Sequence, residues 1–172
     1  MSKEIAKQIR KELKEKLDLN SKDVSVTSRR SLYDDSIRIR VKKLTALEPI
    51  ENIAKEYEEI RYDYSGSGEI LAGCNTFIFV EYDHDFIREE AKKYNEVAKK
   101  IIENHVESGY FKRIMQNDKI RISYDGMTIA VIKGYLDSDI YSFDEKYCAH
   151  NEYHVAEALT RIEAKYGKFE IK

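Results

Sequence analysis

The spacing of apolar residues changes once near the start of the chain, and that change sets the fold class. Ile5, Ile9, Leu13 and Leu17 recur every fourth residue, which lines them along one helical face with Lys3, Lys7, Arg10, Lys11 and Lys14 on the others. Asp18-Leu19-Asn20-Ser21 stops this helix. From Val24 the period is two: Val24 and Val26, then Ile37, Ile39 and Val41, alternate with polar residues as half-buried strands do. The pair reads as an antiparallel hairpin, and its connection, residues 30 to 35, is too long for a tight turn and is expected to be exposed. The expected class is α+β.

The same grammar continues downstream. Pro49 suits a first helical turn, and Ile50, Ile53, Ala54 and Tyr57 supply an apolar stripe behind it. Ile60, Tyr62 and Tyr64 alternate up to the turn Ser65-Gly66-Ser67-Gly68, which leads to Thr76-Phe77-Ile78-Phe79-Val80, a run apolar on both faces and expected as a central strand. Asp83 or Asp85 can cap a helix carrying Phe86, Tyr94, Val97, Ala98, Ile101 and His105 as far as Gly109. Ile120, Ile122 and Tyr124 enter Asp125-Gly126 and Ile129 and Val131 leave it, the pattern of a two-residue hairpin. After an irregular stretch, Asn151 can cap a last helix bearing Val155, Ala158, Leu159 and Ile162, which Gly167 ends, and Phe169-Glu170-Ile171 can add an edge strand. The expected architecture is antiparallel sheets of hairpins packed against amphipathic helices. Its order is α-β-β-α-β-β-α over residues 1–108 and β-β-α over a smaller module, 109–172, the two able to pack as one domain.

Composition narrows the class of function. A length of 172 residues with 42% hydrophobic content builds an ordinary core, and a single proline among 36% charged residues favours regular elements over linkers. Met1-Ser2-Lys3-Glu4 carries no signal-peptide or lipidation pattern, and no apolar run approaches the roughly 20 residues that cross a bilayer, so a cytoplasmic protein is expected. Cys74 and Cys148 are expected as free, structural thiols, Cys74 buried beside its apolar strand. The net charge of −2 hides a division: residues 1 to 43 carry 13 Lys/Arg against 7 Asp/Glu, and residues 44 to 91 carry 3 against 12.

No complete catalytic constellation is legible. Cys148, His150 and His154 form a Cys-x-His-x3-His cluster with Asp144 upstream, donors that suit zinc, yet Asn151 as helix cap separates the two imidazoles and no second ligand pair follows. Ser65-Gly66-Ser67-Gly68 lacks a third glycine at Leu71 and any following Gly-Lys-Ser/Thr, so it reads as a connection rather than a phosphate loop. Asp83-His84-Asp85 has the residues of acid-base chemistry, but a helix start wants the same acids. Neither Cys74 nor His105 has a reaction partner near it in sequence. A protein without enzymatic activity, cofactor or metal is the expectation.

Two surfaces remain as binding candidates. Arg38, Arg40 and Lys42 alternate along one strand, about 7 Å apart, a spacing that can track phosphates, and Arg29 can join them. Few aromatics flank these cations in sequence, which argues against a stacking platform for single strands. The second surface is the segment holding Tyr135, Asp137, Asp139, Tyr141, Asp144, Glu145 and Tyr147, where carboxylates and tyrosines can meet a basic groove.

Ile9-Arg10-Lys11-Glu12-Leu13-Lys14, Val24-Ser25-Val26-Thr27, Ile37-Arg38-Ile39 and Ile53-Ala54-Lys55 resemble the small domains associated with large polyvalent proteins of phages and conjugative elements, over about the first half of the chain. The resemblance implies a mobile-element origin in a bacterial host, where compact proteins disarm defence systems, including CRISPR effector nucleases and restriction enzymes. It carries no catalytic residues. The expectation is an anti-CRISPR type inhibitor that contacts a host defence nuclease or its guide-RNA complex, its acidic segments standing in for phosphate. The alternative is a nucleic-acid-binding accessory module that uses the basic hairpin.

Overall fold

Helix α1 spans Ser2–Leu17 in a computed structural model of the chain, which describes residues 2–63, 68–71, 73–104, 109–116, 119–124, 127–133, 145–149, 152–167 and 170–171. Ala6, Ile9 and Leu13 are buried along the stripe that the sequence marks out. The helix ends where Asp18 turns left-handed (φ 53) and the Leu19 N–H returns to the Leu13 carbonyl at 3.1 Å. Short acidic side chains tolerate this backbone better than branched ones.

Strands β1 (Val24–Arg30) and β2 (Asp35–Val41) pair antiparallel, with Val26 opposite Ile39 and Thr27 opposite Arg38, as the alternation predicts. Val24, Val26, Ile37, Ile39 and Val41 are buried and face α1. Burial of each large aliphatic side chain contributes about 1.5–3 kcal/mol relative to leaving it in water. Helix α2 (Glu48–Lys55) carries Pro49 in its first turn and buries Ile50, Ile53 and Ala54. Just beyond it, the Tyr57 hydroxyl donates to the Glu12 carboxylate and ties the two helices together.

The next strand departs from expectation. β3 (Thr76–Tyr82) pairs parallel with β2, Arg38 lying opposite Phe79 and Arg40 opposite Glu81, and the order β1-β2-β3 leaves it outermost rather than central. A strand that returns through a helix lies parallel to its predecessor, and α2 is that crossover. The sheet is therefore mixed, not a stack of hairpins. The strand expected at Ile60–Tyr64 is not formed: the chain there makes isolated bridges only, Glu59 to Thr76 and Tyr62 to Ile70, while Tyr64 lies outside the described residues.

Backbone packing divides the chain into two compact units, Met1–Phe86 and Ile87–Lys172. Helix α3 (His84–Ala91) begins at Asp83, whose carboxylate accepts the Phe86 N–H at 3.3 Å. The single long helix expected from here is broken by a 3-10 turn, Lys92–Tyr94, before α4 (Asn95–Asn104). His105 lies outside the described residues.

In the second unit β4 (Gly109–Gln116), β5 (Lys119–Tyr124), β6 (Met127–Lys133), β7 (Glu145–Ala149) and β8 (Glu170–Ile171) form a five-stranded antiparallel sheet in the order β7-β4-β5-β6-β8. The β5–β6 hairpin closes on the pair Tyr124 and Met127, the register a two-residue turn requires. Helix α5 (Glu152–Tyr166) buries Val155, Leu159 and Ile162, packs on α4 and the 3-10 turn, and stops at Gly167 (φ 82). Its Glu163 accepts the Tyr94 hydroxyl at 3.1 Å and pairs with Lys93. Burial, and then the Glu163 charge, push the Tyr94 hydroxyl well above the ordinary phenol range.

Candidate nucleic-acid interface

Alternation along β2 sends Ile37, Ile39 and Val41 inward, so Arg38 and Arg40 emerge on the opposite face of the sheet. The parallel register then decides what surrounds them. The Arg38 guanidinium lies over the Phe79 ring, 5.7 Å from its centroid, with Nη1 3.5 Å from Glu81 Oε1. The Arg40 Nε stands 3.2 Å from the same oxygen, and Lys42 Nζ is 3.8 Å from Asp83 Oδ2. One carboxylate thus steadies two guanidiniums and leaves the pair net positive. All three cations are about half exposed, so these ion pairs add at most about 1 kcal/mol each to stability; what they fix is side-chain direction. Phe79 keeps 47% of its surface in water, a large apolar ring beside the cations of this face.

Thr27 and Arg29 of β1 continue this face, being opposite Arg38 and Ser36. The hairpin tip beyond them presents Leu32 (86% exposed) and Tyr33 (68%). That tip is clamped rather than loose. Asp34 Oδ1 accepts from the N–H groups of Gly73 and Asn75, both at 3.1 Å, and from Asn75 Nδ2 at 2.7 Å. Asn75, only 1% exposed, also donates from Nδ2 to the Leu71 carbonyl and accepts the Arg61 N–H at its Oδ1. The Cys74 N–H donates to the Tyr33 carbonyl at 2.7 Å. Gly73 (φ 94) and Cys74 (φ 64) make the turn that permits this clamp. The turn also corrects the expectation of a buried Cys74: it lies before the strand, and the residue is exposed.

Arg29, Arg38 and Arg40 therefore share the solvent side of one sheet, as their alternation indicates, and Lys42 follows directly on the end of β2. The expectation that few aromatics accompany them is overturned, because β3 places Phe79, with Phe77 beside Ser36, against the basic strand. Phe79 and Glu81 are the site members that reading along the sequence misses, because they lie next to the cations only through strand pairing; Leu32 and Tyr33 lie in the connection that is expected to be exposed.

Tyr135, Asp137, Asp139, Tyr141 and Asp144 lie outside the described residues, while Glu145 and Tyr147 belong to β7, opposite Arg113 and Phe111 of β4. Cys148 lies opposite Tyr110 in the same strand pair; His154 is on α5, its ring centroid 5.9 Å from that of Tyr153; His150 and Asn151 lie outside the described residues. Among the described residues no group of three or more His, Cys, Asp or Glu side chains gathers as a metal site would. Asp83 serves as the α3 cap, and His84 and Asp85 are exposed beside it. Ser65, Gly66 and Ser67 lie outside the described residues.

Comparisons with protein-family models, with curated proteins and with solved structures find no match to this chain. No helix among the described residues is long and apolar enough to cross a membrane.

Proposed function

We propose that the first unit binds single-stranded nucleic acid on the solvent face of its three-stranded sheet. The observation that carries this reading is the Arg38 guanidinium lying over a half-exposed Phe79 within a row of cations. An exposed ring is a platform on which any base can stack, worth about 1–3 kcal/mol per base, and the guanidinium plane extends that platform. Arg29, Arg40 and Lys42 are spaced to meet backbone phosphates, and Tyr33 at the tip offers a second ring. A duplex fits this surface poorly, because its major groove admits a helix or a two-stranded ribbon and its bases are already stacked on one another. Fluorescence anisotropy with labelled single-stranded DNA, single-stranded RNA and duplex probes, at low and physiological salt, tests the reading. Salt-dependent binding of single strands in preference to duplex supports it; absence of single-strand binding at low salt rejects it.

A second reading is a phage or mobile-element inhibitor that docks on a host defence nuclease or its guide-RNA complex without catalysing a reaction. What supports it is the acidic surface of α2 and the segment after it, where Glu48, Glu51, Glu56, Glu58 and Glu59 follow one another and can compete with phosphate for a basic channel. Co-purification with a guide-loaded nuclease by a protein with no affinity for bare nucleic acid favours this second reading over the first.

A further inference from the structure

Lys3, Lys7, Arg10 and Lys14 are four, three and four residues apart on α1, which stacks them in one strip along the helix, neighbouring residues about 5–6 Å apart at Cβ. All four are exposed, and none forms an ion pair among the described residues, whereas Lys11 and Lys16 of the same helix are matched by Glu15 and Glu12. The strip is unfavourable for the helix itself. It sets like charges at i,i+3 and i,i+4 and begins at the helix N-terminus, where the macrodipole disfavours cations.

Its position in the fold gives it a use. The buried stripe of α1 faces the sheet, Glu12 reaches toward α2, and the cationic strip lies on the other flank of the helix, where Arg10 and Lys14 stand beside β1, one of the two edge strands. There Arg10 donates to the Val26 carbonyl. Arg10 and Lys14, together with Asn20, Ser21 and Ser25, line a cleft of about 460 Å³ between the helix, the turn after it and the strand. Cations, hydroxyls, an amide and the free edge of a strand are donors suited to phosphate oxygens. The cleft borders the strand next to the proposed stacking face: Ser25 of β1 lines it and pairs with Arg40 of β2 in the sheet.

We infer that the α1 strip and this cleft form a phosphate track that carries the backbone of a single strand from the aromatic face across the edge of β1 and along α1. The inference rests on the sheet-face reading and extends the footprint beyond it.

The test uses the full chain and labelled oligothymidylates of increasing length, comparing wild type, a Lys7→Ala/Lys14→Ala double variant, the charge-retaining Lys7→Arg/Lys14→Arg variant and Phe79→Ala. The double alanine variant is expected to weaken binding of the longer probes only. It should also flatten the dependence of log affinity on log salt by about 1.4, near 0.7 for each single-strand phosphate that a lysine no longer neutralises. The arginine variant should retain both affinity and slope, and Phe79→Ala should weaken every probe without changing the slope. Unchanged affinity and slope in the double alanine variant, with Phe79→Ala still impaired, would overturn the track and leave the sheet-face reading standing. No oligothymidylate binding by wild type would overturn both. Capture of wild type on phosphatidylserine vesicles, abolished in the double alanine variant while its oligothymidylate binding is intact, would assign the strip to a membrane surface and overturn the track as well.

Discussion

Arg38 and Phe79 lie side by side on parallel strands, the guanidinium carbon 5.7 Å from the ring centroid, although 41 positions separate them in the chain. Their register joins a charge that can attract phosphate to a ring on which a base can stack. Without β3 the face would be a solvated row of cations; with it, the face has both components that sequence-tolerant recognition of a single strand requires.

Replacing Phe79 by alanine is expected to lower single-strand affinity about 5- to 150-fold, the equivalent of one base stack of about 1–3 kcal/mol. The ring is half exposed, so the urea midpoint should stay close to that of wild type. Anisotropy and urea denaturation of the same preparation separate the two effects.

Glu81→Gln removes the carboxylate that Arg38 and Arg40 share. Single-strand affinity should rise, because two guanidiniums are freed of their competing anion, while stability changes by less than about 1 kcal/mol. A fall in affinity would mean that holding the arginines in place matters more than freeing their charge.

Asn75→Ala opens the clamp beneath the hairpin tip. It strips Asp34 of a buried partner and leaves the Arg61 N–H and the Leu71 carbonyl without theirs, a destabilisation of about 2–3 kcal/mol that urea denaturation measures. Single-strand affinity should fall as well, because the clamp holds the tip that presents Tyr33, the second ring of the proposed platform.

Glu12 links folding to acidity. Lys16, then the Tyr57 hydroxyl, hold its carboxyl down to about 2, against an ordinary 4.5, and the same interactions raise Lys16 and Tyr57. With its folded value below its unfolded one, Glu12 contributes stability that is complete above the unfolded value and is lost as pH falls through the folded one. Thermal melts between about pH 5 and pH 2 should therefore show a shallower decline for Glu12→Gln than for wild type.

The elements that could be read from sequence are those whose signal is local. The four-residue spacing of Ile5, Ile9 and Leu13 suffices to recognise α1, and the alternation of Ile37, Ile39 and Val41 to recognise β2 and its solvent face, because a side-chain period belongs to one element. Partner choice is not local. Phe77 and Phe79, interleaved with Ile78 and Val80, look like the middle of a sheet, yet β3 lies at its edge and Phe79 shares the solvent face with Arg38, 47% exposed. Ile60 and Tyr62 alternate as a strand does but find no ladder, and Tyr94 continues an apolar stripe through a segment that the structure turns into a 3-10 break. The candidate site divides in the same way. Arg29, Arg38, Arg40 and Lys42 are visible as a row, whereas the ring beneath Arg38 and the carboxylate between the arginines come from a strand brought alongside by a crossover.

The account is tested most directly by following the side chains of the sheet face during titration with a short single-stranded oligonucleotide, using NMR of protein labelled at arginine and phenylalanine. Saturable shifts of the Arg38 and Arg40 guanidinium signals, together with upfield movement of the Phe79 ring protons as a base stacks on them, are the predicted result. Binding that leaves Arg38, Arg40 and Phe79 unmoved would contradict it.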